Sequence, residues 1–344
     1  MKNGARFRKL FFGVWFAISA LLLSGRGGVE ASGHLDLDAA RKEARVMVYS
    51  SISLEDLTIL TRAFQKRYPG IQVQSYRAGK IKLAQRMVTE ARAGKHQFDV
   101  LLSSAFTTLE MKLQKLLARY ESPERARYRP ELKDAEGFWT AAQINTMSVS
   151  YNTRLVKQDE APRRWRDLLH PRWRGKIAIN GNRPEWYMAL LQAMGEEEGR
   201  RYMKTLAEQK TIPVESSTLA DELLGAGEFP LYANAAPSNA ERIKRKGAPV
   251  DWARMAPLPT YPILVSVSAH TRVPNAARLM ADFLLSEEGQ KVLRDIPRIP
   301  ARTGIDANPP HLLKGQEIFF MNISAMAGKA DDQEEEFRRT FGLR

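Results

Sequence analysis

One arrangement constrains the fold of this chain more than any other, because it occurs twice within about sixty residues: a short apolar strand, a pair of serines, then an amphipathic helix. The first copy is Val46-Met47-Val48-Tyr49 followed by Ser50-Ser51. An apolar run this short, β-branched and aromatic, reads as a buried strand rather than a piece of helix. Ser53 then precedes Asp56 by three, the spacing at which a serine oxygen takes an orphan backbone N–H of a helix beginning at Leu54. Leu57, Leu60, Phe64 and Tyr68 place apolar groups on one helix face, and Tyr68-Pro69-Gly70 stops the helix before a second strand, Ile71-Gln72-Val73. The second copy is the strand at residues 98–102, then Ser103-Ser104, then a helix carrying Leu109, Leu113, Leu116 and Tyr120. Strand–helix–strand units bring strand-end residues and helix N-termini to one edge of an open sheet, where ligands bind. Paired serines also serve as simple helix caps; their recurrence at two strand ends favours the binding reading.

Between and beyond these units the same grammar continues. Arg77-Ala78-Gly79 forms a turn that opens a helix carrying Leu83, Met87 and Ala91, and residues 121–137 read as a charged, proline-punctuated surface loop. Residues 139–151 return to extended character and mark a first crossover. Lys176-Ile177-Ala178-Ile179 is a strand ending in Asn180-Gly181-Asn182, a tight turn, and a helix with proline in its first turn runs on through Glu185 and Trp186. A helix follows over residues 196–208. Residues 211–217 are strand-like, residues 229–233 form a further strand ending at Asn234, and a basic helix spans residues 240–246. Pro257-Leu258-Pro259 is stiff enough for a second crossover, after which strand 263–267 and a helix from Asn275 rejoin the first half. A chain of 344 residues exceeds what one core usually supports. The expectation is an α/β protein of two lobes, each a mainly parallel sheet flanked by helices, with residues 32–146 and 260–344 in lobe 1 and 147–259 in lobe 2.

The N-terminus departs from this pattern. Lys2, Arg6, Arg8 and Lys9 precede an apolar run over residues 10–23, and small residues lead to Val29-Glu30-Ala31. These are the three parts of a secretory signal peptide, with cleavage after Ala31; a membrane anchor fits less well, because the run falls short of the roughly 20 residues a spanning helix needs. The full chain carries a formal charge of +14 from 53 basic and 39 acidic residues, of which five basic and one acidic lie in residues 1–31. The exported protein is therefore expected to carry +10. Its charges are interleaved along helices, so the sequence points to a solvated basic surface that attracts anions and not to nucleic-acid binding. No cysteine occurs, so there is no disulfide, no lipid-bearing cysteine and no thiolate metal site.

The hydrolase, metalloprotease, phosphate-loop and dinucleotide signatures are absent, and the five histidines are dispersed. A Ser/His/Asp triad has no local support, although its members need not be close in sequence. The strand ends and helix starts supply binding groups instead: Ser50, Ser51, Ser103, Ser104, Tyr151, Asn152, Asn180, Glu185, Trp186 and Asn234, with Arg77 placed to meet a carboxylate or phosphate. Three or four hydrogen bonds to a charged solute, each about 1.5 to 3 kcal/mol, reach the ~8 kcal/mol of micromolar affinity once association entropy is charged. The alternatives are a secreted enzyme acting in the same cleft and a ligand-sensing partner of a membrane receptor. No cofactor is called for.

Most of the chain resembles the periplasmic solute-binding proteins of bacterial ABC importers, specifically the ferric-iron-type family with the type II two-lobe fold. The stretches that carry the likeness are VYSS at 48–51, FQKRYPGIQV at 64–73, EARAGKHQFDV at 90–100, VSYNT at 149–153, WRDLLHPRWRGKI at 165–177, GAPVDW at 247–252 and PNAARLMADFLLSEEGQ at 274–290. The resemblance implies a periplasmic monomer that closes over a small molecule or metal chelate and docks on an inner-membrane permease, with no reaction. One departure matters. Iron-binding members carry two adjacent tyrosines just after the strand at 230–233, where this chain has Asn234-Ala235-Ala236-Pro237. Tyr232 is alone and reads as a packed strand residue, which with Glu185 leaves only two weak metal candidates. A small anionic organic solute or an iron chelate is the expected ligand.

Overall fold

The computed structural model describes residues 36–326 and 328–343; the expected leader at residues 1–31 lies outside them. The chain enters through α1 (Leu37–Glu43), β1 (Arg45–Ser50), α2 (Leu54–Arg67), β2 (Gln72–Arg77), α3 (Lys80–Arg92), β3 (Val100–Ser104) and α4 (Ala105–Leu113), and reaches β4 (Thr140–Thr146) after two short 3-10 turns. It then builds β5 (Ser148–Asn152), β6 (Ile177–Asn180), α5 (Pro184–Met194), α6 (Glu196–Ala207), β7 (Ile212–Val214), α7 (Ser217–Ala226), β8 (Leu231–Ala235), α8 (Pro237–Arg245) and β9 (Val250–Trp252). The last part comprises β10 (Leu258–Val267), α9 (Pro274–Leu285), α10 (Glu287–Asp295), β11 (Ile299–Pro300), β12 (Ile318–Phe320) and α11 (Ala330–Phe341).

Among the described residues the strands form two sheets. The first has seven strands, in the order β11-β4-β10-β3-β1-β2 with β12 on β10; the second has five, in the order β7-β6-β8-β5-β9. Each combines a parallel half with strands of opposite sense. β2, β1 and β3 run parallel, while β10 is antiparallel to β3 and to β4. β7, β6 and β8 run parallel, while β5 is antiparallel to β8 and β9. The chain passes from one sheet to the other at Met147, between β4 and β5, and returns between β9 and β10. The antiparallel strands are those adjoining these passages, because a chain that leaves a sheet and re-enters it needs no helical crossover.

Local rules account for the helices that shape the cleft. Ser53 caps α2 by accepting the N–H of Asp56 at 3.1 Å, and Leu57, Leu60 and Phe64 are buried. Phe64 packs edge-on against Phe283 of α9 with ring centres 5.6 Å apart. β3 runs further than local pattern predicts: Ser103 and Ser104 stay in the ladder, opposite Leu264 and Ile263 of β10. The strand that extends it arrives from more than 150 residues away, so no local window contains the reason. Gln290, fully buried in α10, satisfies its whole amide: Nε2 donates to the carbonyls of Ala142 and Leu284 at 2.7 and 2.8 Å, and Oε1 accepts the N–H of Ala301 and Arg302. α11 packs on α5 and α6, through Phe337 against Trp186 and Tyr187, so the final helix of the chain covers the half that carries the second sheet. The expectation from sequence places all of residues 260–344 with the first lobe.

Candidate functional site

A cavity of about 750 Å³ lies between the two lobes, walled by the ends of their parallel strands and the first turns of the helices that follow. On the first lobe, Ser51, Ser53 and Asp56 come from the β1–α2 junction, Arg77, Gly79 and Lys80 from the β2–α3 junction, and Ser104 from the start of α4. Gln143 and Asn145 of β4, Tyr261 of β10 and Arg298 complete that wall. The second lobe contributes Asn180, Asn182, Arg183 and Glu185 where β6 gives way to α5, Ser216 and Ser217 at the start of α7, and Ala236, Ser238 and Asn239 at the start of α8. Six helices thus turn their N-terminal ends to one space. Unpaired N–H groups and the positive end of the helix dipole make each a favourable place for negative charge.

Of the residues expected at the site from sequence, Ser51, Arg77, Ser104, Asn180 and Glu185 line this cavity. The others stand elsewhere. Ser50 and Ser103 are fully buried: Ser50 Oγ donates to the Leu102 carbonyl at 2.7 Å and accepts the N–H of Ile52, while Ser103 Oγ lies 2.8 Å from Ser51 Oγ. They join β1 to β3 directly behind the wall. Asn234 clasps the backbone of Asn180, accepting its N–H at 2.8 Å and donating to its carbonyl at 2.9 Å, and so carries the link between β6 and β8 two residues beyond their last paired residues, Ala178 and Tyr232. Asn152 donates to the Leu224 carbonyl and accepts the N–H of Arg154. Tyr151 lines a separate pocket of about 410 Å³ beside Asp251 and Trp252, because the pairing of β5 with β9 turns it from the cleft. Trp186 is buried between Trp165, Phe337 and Phe341: one helical position after Glu185, it faces the core when Glu185 faces the cavity.

The cavity wall carries five cations, Arg77, Lys80, Lys82, Arg183 and Arg298, against three carboxylates, Asp56, Glu185 and Glu215. Two carboxylates are already matched. Arg298 Nε lies 2.8 Å from Asp56 Oδ2. Lys80 Nζ reaches across from α3 to Glu185 Oε1 at 3.1 Å, with Glu334 of α11 at 3.9 Å. Arg77 is held by a hydrogen bond from Nε to the Ile52 carbonyl at 3.0 Å. Arg183 is held by Nε on Ser217 Oγ at 3.1 Å and Nη1 on the Asn234 carbonyl at 3.1 Å. Burial pushes the Tyr261 phenol up to about 12, against the pull of Arg183, so at neutral pH it is a neutral hydroxyl.

Direct metal binding fits this wall poorly. Tyr232 is fully buried and absent from the cavity lining, and its hydroxyl has no partner among the described residues. Glu185 is committed to Lys80. No group of three or more His, Cys, Asp or Glu that could hold a metal ion is found among the described residues.

Reading the sequence alone missed Arg183, Ser217, Gln143, Asn145, Tyr261, Lys80 and Arg298. A signal existed for one of them: Ser216-Ser217 follows a strand and opens a helix, an order like that met at Ser50-Ser51 and Ser103-Ser104. Arg298 and Tyr261 had none, since the segments that carry them are brought to the cleft by long-range pairing.

Residues 97–326 match the family model described as bacterial extracellular solute-binding protein. An uncharacterized protein of Haemophilus influenzae is 25% identical over 308 residues, covering 83% of each chain. Among solved structures, iron-bound HitA from Pseudomonas aeruginosa superposes with a TM-score of 0.74 at 22% identity, covering 87% of this chain and 100% of that one. AfuA from Actinobacillus pleuropneumoniae, with fructose-6-phosphate bound, superposes with a TM-score of 0.74 at 20% identity, covering 87% and 99%. The two-lobe fold is therefore that of periplasmic binding proteins, and with two thirds of its length inside one family model the chain belongs to the bacterial extracellular solute-binding proteins.

Proposed function

We propose that this protein is the periplasmic capture component of an ABC importer and that it binds a small anionic organic solute, without turning it over, between its lobes. One observation carries the reading: a cavity of about 750 Å³ whose wall holds five cations against three carboxylates, with six helix N-termini directed into it. Such a site selects negative charge, and its volume suits a metabolite-sized solute. The cleft residues we assign to binding are Ser51, Arg77, Ser104, Asn180, Arg183 and Ser217. The pairing of Asp56 with Arg298 and of Glu185 with Lys80 occupies the carboxylates that a general acid–base mechanism would need, which favours capture over an enzymatic role. An iron chelate stays within the same reading, since its outer surface is anionic, whereas bare ferric ion is disfavoured by the buried Tyr232. The division of labour between lobes follows the two sheets, with α11 assigned to the second. Permease docking and a single-chain solution state complete the proposal, and no helix among the described residues is long and apolar enough to cross a membrane.

Native mass spectrometry of the protein as purified, followed by thermal-shift screening with organic phosphates, carboxylates and ferric chelates, tests the reading. The expected result is an unaltered anionic solute recovered intact, or a stabilisation of several degrees by one class. Conversion of a bound solute to a product, or stabilisation by cations alone, refutes it.

A further inference from the structure

Ser217, the first residue of α7, lines the cavity with its hydroxyl between two fixed donors. Asn180 Nδ2 lies 2.9 Å from Ser217 Oγ, and Arg183 Nε lies 3.1 Å from it. Neither donor can exchange roles. A guanidinium has no acceptor, and the Asn180 amide is oriented by its own Oδ1, which accepts the N–H of Asn182 at 2.8 Å. A hydroxyl oxygen has two lone pairs and one proton. With both lone pairs taken, the proton of Ser217 must donate. No acceptor for it is found among the described residues, and Ser217 is half-exposed on the cavity wall, so the proton is available to a solute or to water there.

Arg183 is in the same position. Its Nε is spent on Ser217 and its Nη1 on the Asn234 carbonyl, which leaves Nη2 without a hydrogen bond among the described residues. The partners that hold both groups are themselves rigid: Asn234 is fully buried and Asn180 nearly so. Glu215, on the same wall, is exposed and its charge is screened by solvent and salt. We propose that the Ser217 hydroxyl and Arg183 Nη2 form a donor-only seat for one oxyanion of the solute, phosphoryl or carboxylate, and that Ser217 selects for an unprotonated oxygen there. This rests on the capture reading and deepens it, because it places the charged end of the solute on the second lobe. A cation is refused at this point, since the Ser217 oxygen has no lone pair left to give.

The test is isothermal titration of the full mature chain and its S217A and S217T variants with inorganic phosphate, fructose 6-phosphate, citrate and ferric citrate, each variant first matched to the parent in circular dichroism and melting temperature. Which probe binds separates a phosphoryl from a carboxylate end. For the probe that binds, S217A is expected to be about ten- to a hundredfold weaker, the loss for one hydrogen bond to a charged acceptor, and S217T to restore most of it. Binding by S217A equal to the parent overturns the seat, and so does S217T as weak as S217A. A probe that binds S217A as tightly as the parent overturns the seat and leaves solute capture standing; parent protein that binds no probe and carries no solute by native mass spectrometry removes both.

Discussion

The contact between Lys80 and Glu185 crosses the cleft, so removing it acts on the relation between the lobes more than on either core. Lys80 Nζ sits 3.1 Å from Glu185 Oε1, and the Glu185 side chain is only 7% exposed. The consequence of Lys80→Ala is a nearly buried carboxylate without its cation, which costs about 3–5 kcal/mol in a fully dry site. Two features reduce that figure. The Lys80 side chain is 21% exposed, so solvent already screens part of the interaction, and Glu185 stands in the first turn of α5, where the helix dipole returns about 0.3–1 kcal/mol. About 2 kcal/mol remains. Because Glu185 regains water when the lobes part, that cost falls on the closed arrangement alone and shifts the closed-to-open ratio by about thirtyfold.

Glu185→Gln is expected to cost much less. Lys80 keeps Glu334 at 3.9 Å and the Phe106 ring at 4.9 Å, and it can turn to water. Small-angle scattering with and without solute, combined with titration calorimetry, reads both variants. Lys80→Ala should enlarge the solute-free radius of gyration and weaken binding by about tenfold or more, while Glu185→Gln stays within a few-fold of the parent. Equal effects of the two substitutions, or an unchanged radius and affinity for Lys80→Ala, would refute the asymmetry and with it the assignment of this pair as an interlobe clamp.

Two further outcomes are expected of the fold itself. Burial pushes the Asp221 carboxyl up to about 6, above its usual value, with Arg183 and Arg242 pulling it back; the native state then holds a proton that the unfolded state has lost, so stability falls as pH rises from about 4 to 6, by about 3 kcal/mol in all. Asp221→Asn should reduce that limb of a urea-midpoint profile, leaving the part due to Asp282, which burial also pushes up to about 6, and a parent profile that rises through the same window would contradict the cause. A Cβ on Gly289 would collide with the Phe283 carbonyl oxygen and press on Leu284 Cα, all backbone, so Gly289→Ala should cost about 3 kcal/mol and lower the melting temperature of a chain this size by several degrees. An unchanged melting temperature would mean that the turn between α9 and α10 yields freely.

What sequence reading recovered and what it missed divide along one physical line. The strand, serine pair and helix pattern at residues 46–64 and 98–113 is written in local chemistry: β-branched runs, a cap at Ser53 and apolar groups three and four apart. These signals depend on a few neighbouring residues, and the elements appear close to where they are expected, except that β3 runs on through Ser103-Ser104 and α4 ends at Leu113, short of Leu116 and Tyr120. The site does not depend on neighbours. Asn234 was expected to meet the solute and instead clasps Asn180, while Arg183, next to a helix-starting proline, reads in sequence as an ordinary surface cation and becomes a wall residue only because Ser217 and the Asn234 carbonyl hold it there. Two expected residues that lie behind the wall still shape it: Asn234 fixes Asn180, which takes one lone pair of Ser217, and Ser103 anchors Ser51. A buried amide or hydroxyl at a strand end thus has two possible employments, facing the solute or orienting the group that does. The choice is set by whether a second strand arrives close enough to use it. β8 arrives beside β6 and claims Asn234; among the described residues none accepts the Ser217 proton, which stays available to the cavity.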